Sequence, residues 1–290
     1  MTPSSWSDLD RPPLNTASLR RGLLRPGALW TALDVVPATG STNSDLAARA
    51  GRAAAPAEGA VLVAEEQTAG RGRLDRQWSA PARSGLFFSV LLKPGAPGAR
   101  GTGVPAERWG WLPLLTGVAV AAGLAKAGGV DTALKWPNDL LVTVGGEERK
   151  AGGILAERAG DGVVVGVGVN VSLRADELPV PTAGSLALAN AVSTDRDTLL
   201  REVLRSVERW YGQWRDAAGD PVSSGLMEAY AAGCSTLGRR VRAQLPGGGE
   251  LLGEAVALDA DGRLVIATDA GKREPVGAGD IVHLRAVDGG

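Results

Sequence analysis

Lys135, Arg71 and Arg73 are the side chains best suited to chemistry in this chain, and what they suit is the handling of anions. Lys135 opens the segment Lys135-Trp136-Pro137-Asn138-Asp139, where an apolar run ends and Pro137, Asn138 and Asp139 fix a turn. An ammonium held there stands at the rim of a cleft. Arg71 and Arg73 alternate with Gly70 and Gly72 in the stretch from Glu65 to Ser79, which carries a third arginine, Arg76. Guanidinium forks match the paired oxygens of phosphate and carboxylate, and the glycines let backbone N–H groups approach the same anion. Glycine-spaced backbone loses more entropy on ordering than most sequences, so this loop is expected to be mobile until an anion organises it. Taken alone, a solvated basic loop explains the arginines equally well, and an ordinary strand–turn–strand explains Lys135.

What is missing narrows the chemistry further. The chain has one histidine, His283, inside a predicted strand near its end, so no histidine triad or histidine metal cluster can be assembled. A satisfied structural imidazole is the expected role. The single cysteine, Cys234, has no activating neighbour in sequence and cannot form an internal disulfide. Covalent catalysis by the protein is therefore not expected, and electrostatic positioning is the resource that remains. Lysine occurs only at 93, 126, 135, 150 and 272 in a chain otherwise biased to arginine, so where lysine survives a specific need for an ammonium is expected.

The elements that must hold these residues can be traced in order. Ser41, Thr42 and Asn43 are good N-cap types and open a predicted helix through Arg52. Strands are expected at 61–64 and 86–92, then a long apolar helix from about Trp109 to Lys126. The run Ala133 to Val144 reads as two strands meeting at a turn, and 152–157 and 163–171 as two further strands. On the last of these, Gly166, Gly168 and Asn170 share one face by the period of two, leaving that face bare apart from the amide. A second long helix is expected from the capping-box pair Thr194 and Asp197 to about Trp214. From Gly238 onward, short strand-like pieces alternate with turn signals, as in a small antiparallel barrel. The division is placed near Cys234, giving units 1–235 and 236–290.

At 290 residues and 44% hydrophobic, the chain can bury a substantial core. A net charge of −1 argues against a dedicated nucleic-acid binder. There is no run of 18 apolar residues, and the acidic, proline-dotted start lacks the basic head and apolar middle of a secretory signal. A cytoplasmic protein with no membrane contact is expected.

Five motifs in order, Gly40-Ser41-Thr42-Asn43, 66–73 (EQTAGRGR), 135–139 (KWPND), 150–157 (KAGGILAE) and 166–170 (GVGVN), resemble the biotin–protein ligase family across about residues 30–285. The resemblance implies an α+β fold, a mixed β-sheet with helices packed on it like that of class II aminoacyl-tRNA synthetases, followed by a small SH3-like β-barrel. It implies that biotin and Mg-ATP form biotinyl-5′-AMP. A lysine on a biotin carboxyl carrier domain of an acetyl-CoA or acyl-CoA carboxylase then takes the biotin. Carboxylate and α-phosphate ~4 Å apart repel by about 4 kcal/mol at an effective dielectric near 20, and Lys135, Arg71 and Arg73 would offset that repulsion.

By the same resemblance, Ser41, Thr42, Asn43, Gln67, Gly70, Arg71, Lys135 and Gly168 are expected around biotin, and Arg73, Trp78, Asn138, Lys150 and Asn170 around the nucleotide. Mg2+ is expected only as the ion of ATP, with no protein metal site. Asp139 is a candidate to assist deprotonation of the acceptor amine. The short leader leaves no room for the N-terminal winged helix that some family members use on DNA, so no DNA partner is expected. Glu147 and Glu148 read only as a solvated turn. Two other readings stay open: a ligase for lipoate or another short acid, and a nucleic-acid or nucleotide binding module without catalysis. Octanoyl transferases of the same fold use a cysteine thioester, and no motif here contains a cysteine.

Overall fold

The computed structural model describes residues 10–52, 55–74, 76–97, 103–245, 248–277 and 279–283. The first nine residues of the leader, Asp75 of the arginine stretch, parts of the turns at 246–249 and 277–280, and the predicted end of the barrel after His283 lie outside the described residues.

Alternation builds the main sheet. It has seven strands in the order β1 (Ala32–Val36), β2 (Ala60–Ala64), β5 (Gly85–Leu92), β9 (Gly162–Asn170), β8 (Glu147–Ala159), β7 (Asp139–Val144) and β6 (Ala133–Lys135). Only β1 and β2 run parallel; the other neighbours are antiparallel. Along β9, Val163, Val165, Val167 and Val169 enter the large core, while Val164 joins a smaller cluster on the opposite face with Leu46, Leu62 and Leu91. The large core receives α3 (Trp111–Gly128) and α4 (Arg196–Asp216). The two helices approach closely at Gly123, where a Cβ would lie 2.7 Å from the Val203 Cα. The described helical stretch long and apolar enough to cross a membrane, Ala106–Gly128, contains α3 and is mostly buried in this core.

One local expectation is corrected. Helix α4 is capped by Asp195, whose carboxylate accepts from the Asp197 amide at 3.3 Å. Asp197 itself turns away to accept the Asn15 amide at 3.0 Å and so ties down the leader, which displaces the expected Thr194–Asp197 box. The start of α1 (Thr16–Leu23) is held by a buried ion pair as well: Arg196 meets Glu65 at 2.7 Å and donates to the Pro12 carbonyl at 2.6 Å, while Glu65 accepts the Leu14 amide.

The C-terminal unit is a five-stranded antiparallel sheet of SH3-like type, in the order β13 (Arg273–Val276), β12 (Leu264–Thr268), β11 (Glu250–Leu258), β10 (Arg240–Gln244) and β14 (Asp280–His283). Among the described residues its ladder is open between β13 and β14 rather than closed as a barrel. Strand β13 was not foreseen because it is charged and contains Pro275, which an edge strand tolerates. The sheet grips the rest of the chain through indoles: Trp136 Nε1 donates to the Gly262 carbonyl at 3.0 Å and Trp111 Nε1 to the Ala260 carbonyl at 2.8 Å.

Candidate functional site

On the face of the main sheet away from α3 and α4, a cavity of about 460 Å³ opens between α2 (Thr42–Ala50), the arginine loop, the β6–β7 turn and the start of β14. Its floor is the bare face foreseen for β9. A Cβ on Gly166 would collide with the Asn43 amide, and one on Gly168 would lie 2.9 Å from the Trp78 ring. Gly168 pairs in register with Gly153 of β8, and the indole lies across both, so the two glycines form its seat. Trp78 Nε1 is buried there with no hydrogen-bond partner among the described residues.

At one end of the cavity the lining polar groups are neutral amides and hydroxyls matched to one another, with Glu157 the one carboxylate named among their partners. Gln67 Oε1 accepts from both the backbone N–H and the hydroxyl of Thr42, at 2.8 and 3.0 Å. That orients the amide and leaves Nε2 without a protein acceptor among the described residues. Asn43 spends both amide hydrogens inside the protein, on the Leu155 carbonyl and on Glu157, while its Oδ1 accepts from Ser89 at 2.7 Å. Ser41, the N-cap of α2, adds a hydroxyl. Gly70 lies behind this end, where a Cβ would crowd Gln67 Nε2 at 3.1 Å.

The other end collects charge. Lys135 lines the cavity at the end of β6, paired in register with Asp139, and the Trp136–Pro137 peptide that follows is cis. Among the described residues no carboxylate lies within ion-pair distance of its ammonium. Lys150 meets Asp139 at 2.6 Å, Arg73 donates to Asn138 Oδ1 at 3.3 Å, and Arg76 is bonded to Asp280. Burial lowers the pKa of Arg73 and outweighs the opposite pull of nearby Asp139 and Asp280, while the bond to Asp280 raises that of Arg76. Asn138 Nδ2 donates to the Ile154 carbonyl and Asn170 Nδ2 to the Gly184 carbonyl, which fixes both amides at the cavity wall.

Every residue singled out for the site lines this cavity except Gly70. The arginine loop has contacts that its sequence did not foreshadow. Its arms pair as the short hairpin β3 (Gly70–Arg71) with β4 (Gln77–Trp78), and Arg71 forks onto Glu157 at 2.9 and 3.2 Å. Arg71 and Arg76 thus each have a protein carboxylate as partner, Glu157 and Asp280. Ser89, Glu157 and Asp280 were missed. Ser89 carried a signal, since it is the one polar residue in the apolar run of β5; the other two are distant in sequence from the groups they hold.

Residues 35–173 match the Biotin/lipoate A/B protein ligase family, and residues 236–284 the Biotin protein ligase C terminal domain. The Biotin–[acetyl-CoA-carboxylase] ligase of Mycobacterium tuberculosis is 44% identical over 278 residues, 95% of this chain and 97% of that protein. The Bifunctional ligase/repressor BirA of Bacillus spizizenii is 32% identical over 82% of this chain and 69% of its own length. Among solved structures, the biotin protein ligase from Aquifex aeolicus in complex with biotin and ATP superposes with a TM-score of 0.69 at 27% identity, covering 88% of this chain and 100% of that one. With both sequence matches falling on the two sheets that enclose the cavity, the chain belongs to the biotin/lipoate protein ligase family.

Proposed function

We propose that the cavity is where biotin and ATP condense to biotinyl-5′-AMP, and from which biotin passes to a lysine of a biotin carboxyl carrier domain. The observation that carries this is the split character of one cavity: a neutral, internally matched polar end beside a cluster of cations. A ureido ring offers donors and an acceptor without charge, which suits Ser41, Thr42 and the outward Nε2 of Gln67. Asn43 shapes the floor beneath it, and Gly70 and Gly168 leave room. The short acid tail then points toward Lys135, Arg71 and Arg73.

In the first step a carboxylate oxygen attacks the α-phosphorus and pyrophosphate leaves. Lys135 bridges the two anions and Arg71 and Arg73 neutralise the charge that gathers between them. In the second, the acceptor amine attacks the acyl carbon, AMP departs and the amine loses its proton. Trp78, Asn138, Lys150 and Asn170 face the nucleotide. Mg2+ comes with ATP and supplies charge neutralisation on its phosphates. Among the described residues no group of three or more His, Cys, Asp or Glu side chains could enclose a metal, so the ion would rest on phosphates with Asp139 or Asp280 at hand. Asp139 is engaged by Lys150, which leaves it poorly free to act as the acceptor's base.

The same reading places the division of units between residues 235 and 236, names an acetyl-CoA or acyl-CoA carboxylase subunit as acceptor, and places the protein in the cytoplasm, where such carriers and ATP are found together. The test is ATP–pyrophosphate exchange. Exchange that depends on biotin, together with a retained biotinyl-adenylate in the mass spectrum, supports the assignment. Exchange supported by lipoate and not by biotin would move it to the related acid.

A further inference from the structure

Both chain neighbours of Lys135 are held by the segment that leads into the C-terminal sheet. Leu134 bridges Cys234, and its carbonyl accepts the Ser235 amide at 2.8 Å. On the other side, the Trp136 amide donates to Thr236 Oγ1 at 3.1 Å. Thr236 is fully buried, and its oxygen also lies 3.0 Å from His283 Nε2. The opposite ring nitrogen, Nδ1, is 3.3 Å from Arg239, whose guanidinium forks onto Glu148 at 2.6 and 2.8 Å.

Proton counting fixes the roles. Arginine only donates, so Nδ1 must accept, and the single ring hydrogen sits on Nε2 and points at Thr236. Thr236 Oγ1 then receives two hydrogens, one from Trp136 and one from His283. A second proton on the ring would set two donors face to face and add a cation beside Lys135 and Arg239. Those two cations, with Glu148 opposing them, are the charged groups that face the imidazole, and burial acts first to hold its pKa down to about 4.

We infer that His283 and Thr236 are positioning residues for the adenylation step: a neutral imidazole in the last strand, acting through the threonine hydroxyl on the Trp136 amide, sets where the Lys135 ammonium stands. This rests on the reading of the cavity as an adenylation site. Because misplacing a reacting or bridging group by an ångström can cost about a hundredfold, removing the strut acts on the chemical step rather than on substrate binding.

The experiment is biotin-dependent ATP–pyrophosphate exchange on the full chain, with active sites counted by the burst of biotinyl-adenylate so that misfolded protein does not enter the rate. His283→Ala is expected to lower kcat per active site by about ten- to a hundredfold with little change in KM for biotin. His283→Gln, which keeps a neutral donor toward Thr236, is expected to restore most of that loss. Arg239→Met removes one of the two cations that oppose a second proton on the ring and leaves Glu148 facing it unpaired. Its kcat is expected to fall between pH 7 and pH 5, and adding His283→Gln to it is expected to abolish the fall. The inference is overturned if His283→Ala keeps the wild-type kcat per site, if glutamine restores nothing, or if the loss appears only in KM. Absence of biotin-dependent exchange in the unaltered protein would instead overturn the assignment of the site.

Discussion

The two ends of the cavity are built on opposite plans. At the neutral end Ser89 is 0% exposed and Asn43 4%, and each side-chain hydrogen there that the fold can use is already placed. At the charged end the Arg76 side chain is 57% exposed and leans on Asp280, while Arg71, 47% exposed, links the two ends by forking onto the same Glu157 that accepts from Asn43. A neutral ligand of fixed shape is recognised by polar groups that cannot move, because an unmatched buried donor is expensive. Two anions that must react are served by cations that can exchange a protein carboxylate for a phosphate. Rigidity and adaptability are therefore separated in space, and substitutions at the two ends should fail in different ways.

The largest expected effect lies at the charged end. Lys135→Ala removes a cation with no carboxylate partner among the described residues, so nothing in the protein is left unpaired and the fold is little disturbed. Loss of one such group lowers the rate of adenylation by about 10²–10³-fold. Biotin binding, measured by calorimetry, weakens much less than the rate, because only the contact to the acid tail is lost while the neutral end stays intact. An equal loss in both would erase the distinction between the two ends.

Next comes the neutral end. Ser89→Ala leaves Asn43 Oδ1 without its donor in a dry site, an imbalance of about 1–3 kcal/mol. Read as affinity, that is about ten- to a hundredfold weaker biotin. ATP affinity should not follow it. The comparison breaks if ATP weakens as much as biotin, since the damage would then be general.

How much of this was legible depended on whether a residue acts through its neighbours in sequence or through space. The bare face of β9 could be read because Gly166, Gly168 and Asn170 lie two apart, and the period of a strand does the rest. Lys135 could be read because Pro137 and Asn138 mark a turn. Glu148 could not: in sequence it is one of two acids in a polar turn, and only the fold of the C-terminal sheet brings Arg239 against it. Glu157 was hidden for the same reason, 86 residues from Arg71. The loop's carboxylate partners were hidden as well, because Glu157 and Asp280 lie far in sequence from Arg71 and Arg76. The antiparallel C-terminal strands were anticipated, but as a barrel; among the described residues they form an open sheet, with the charged, proline-bearing β13 at its edge.

A smaller effect sharpens the contrast. Glu157→Gln weakens the half-exposed fork to Arg71, worth no more than about 1 kcal/mol in stability. Its thermal midpoint should shift slightly, and the shift should shrink in high salt. With less of Arg71 committed to the protein, the KM for ATP is expected to hold or fall about twofold, since an exposed pair contributes little that the ligand must replace. A clear rise in that KM would show that the carboxylate aims the guanidinium rather than parking it.

The last effect concerns stability and belongs to the link between the two sheets. His283 in the folded chain has its pKa lowered from 6.5 to about 4, chiefly by burial and then by Lys135 and Arg239. The unfolded chain takes up this proton first as the pH falls, so the contribution is complete above about 6.5 and is lost as the pH drops toward 4. His283→Gln cannot take up the proton. Unfolding in urea at pH 7.5 and pH 5 should therefore show the unaltered protein losing more stability than the variant over that interval. Carboxylates titrate alike in both chains, so the difference between the two losses isolates the imidazole. Parallel losses would mean that the ring gains its proton without disturbing Thr236 or Arg239, and the charged end would then be free of any tie to the C-terminal sheet through this residue.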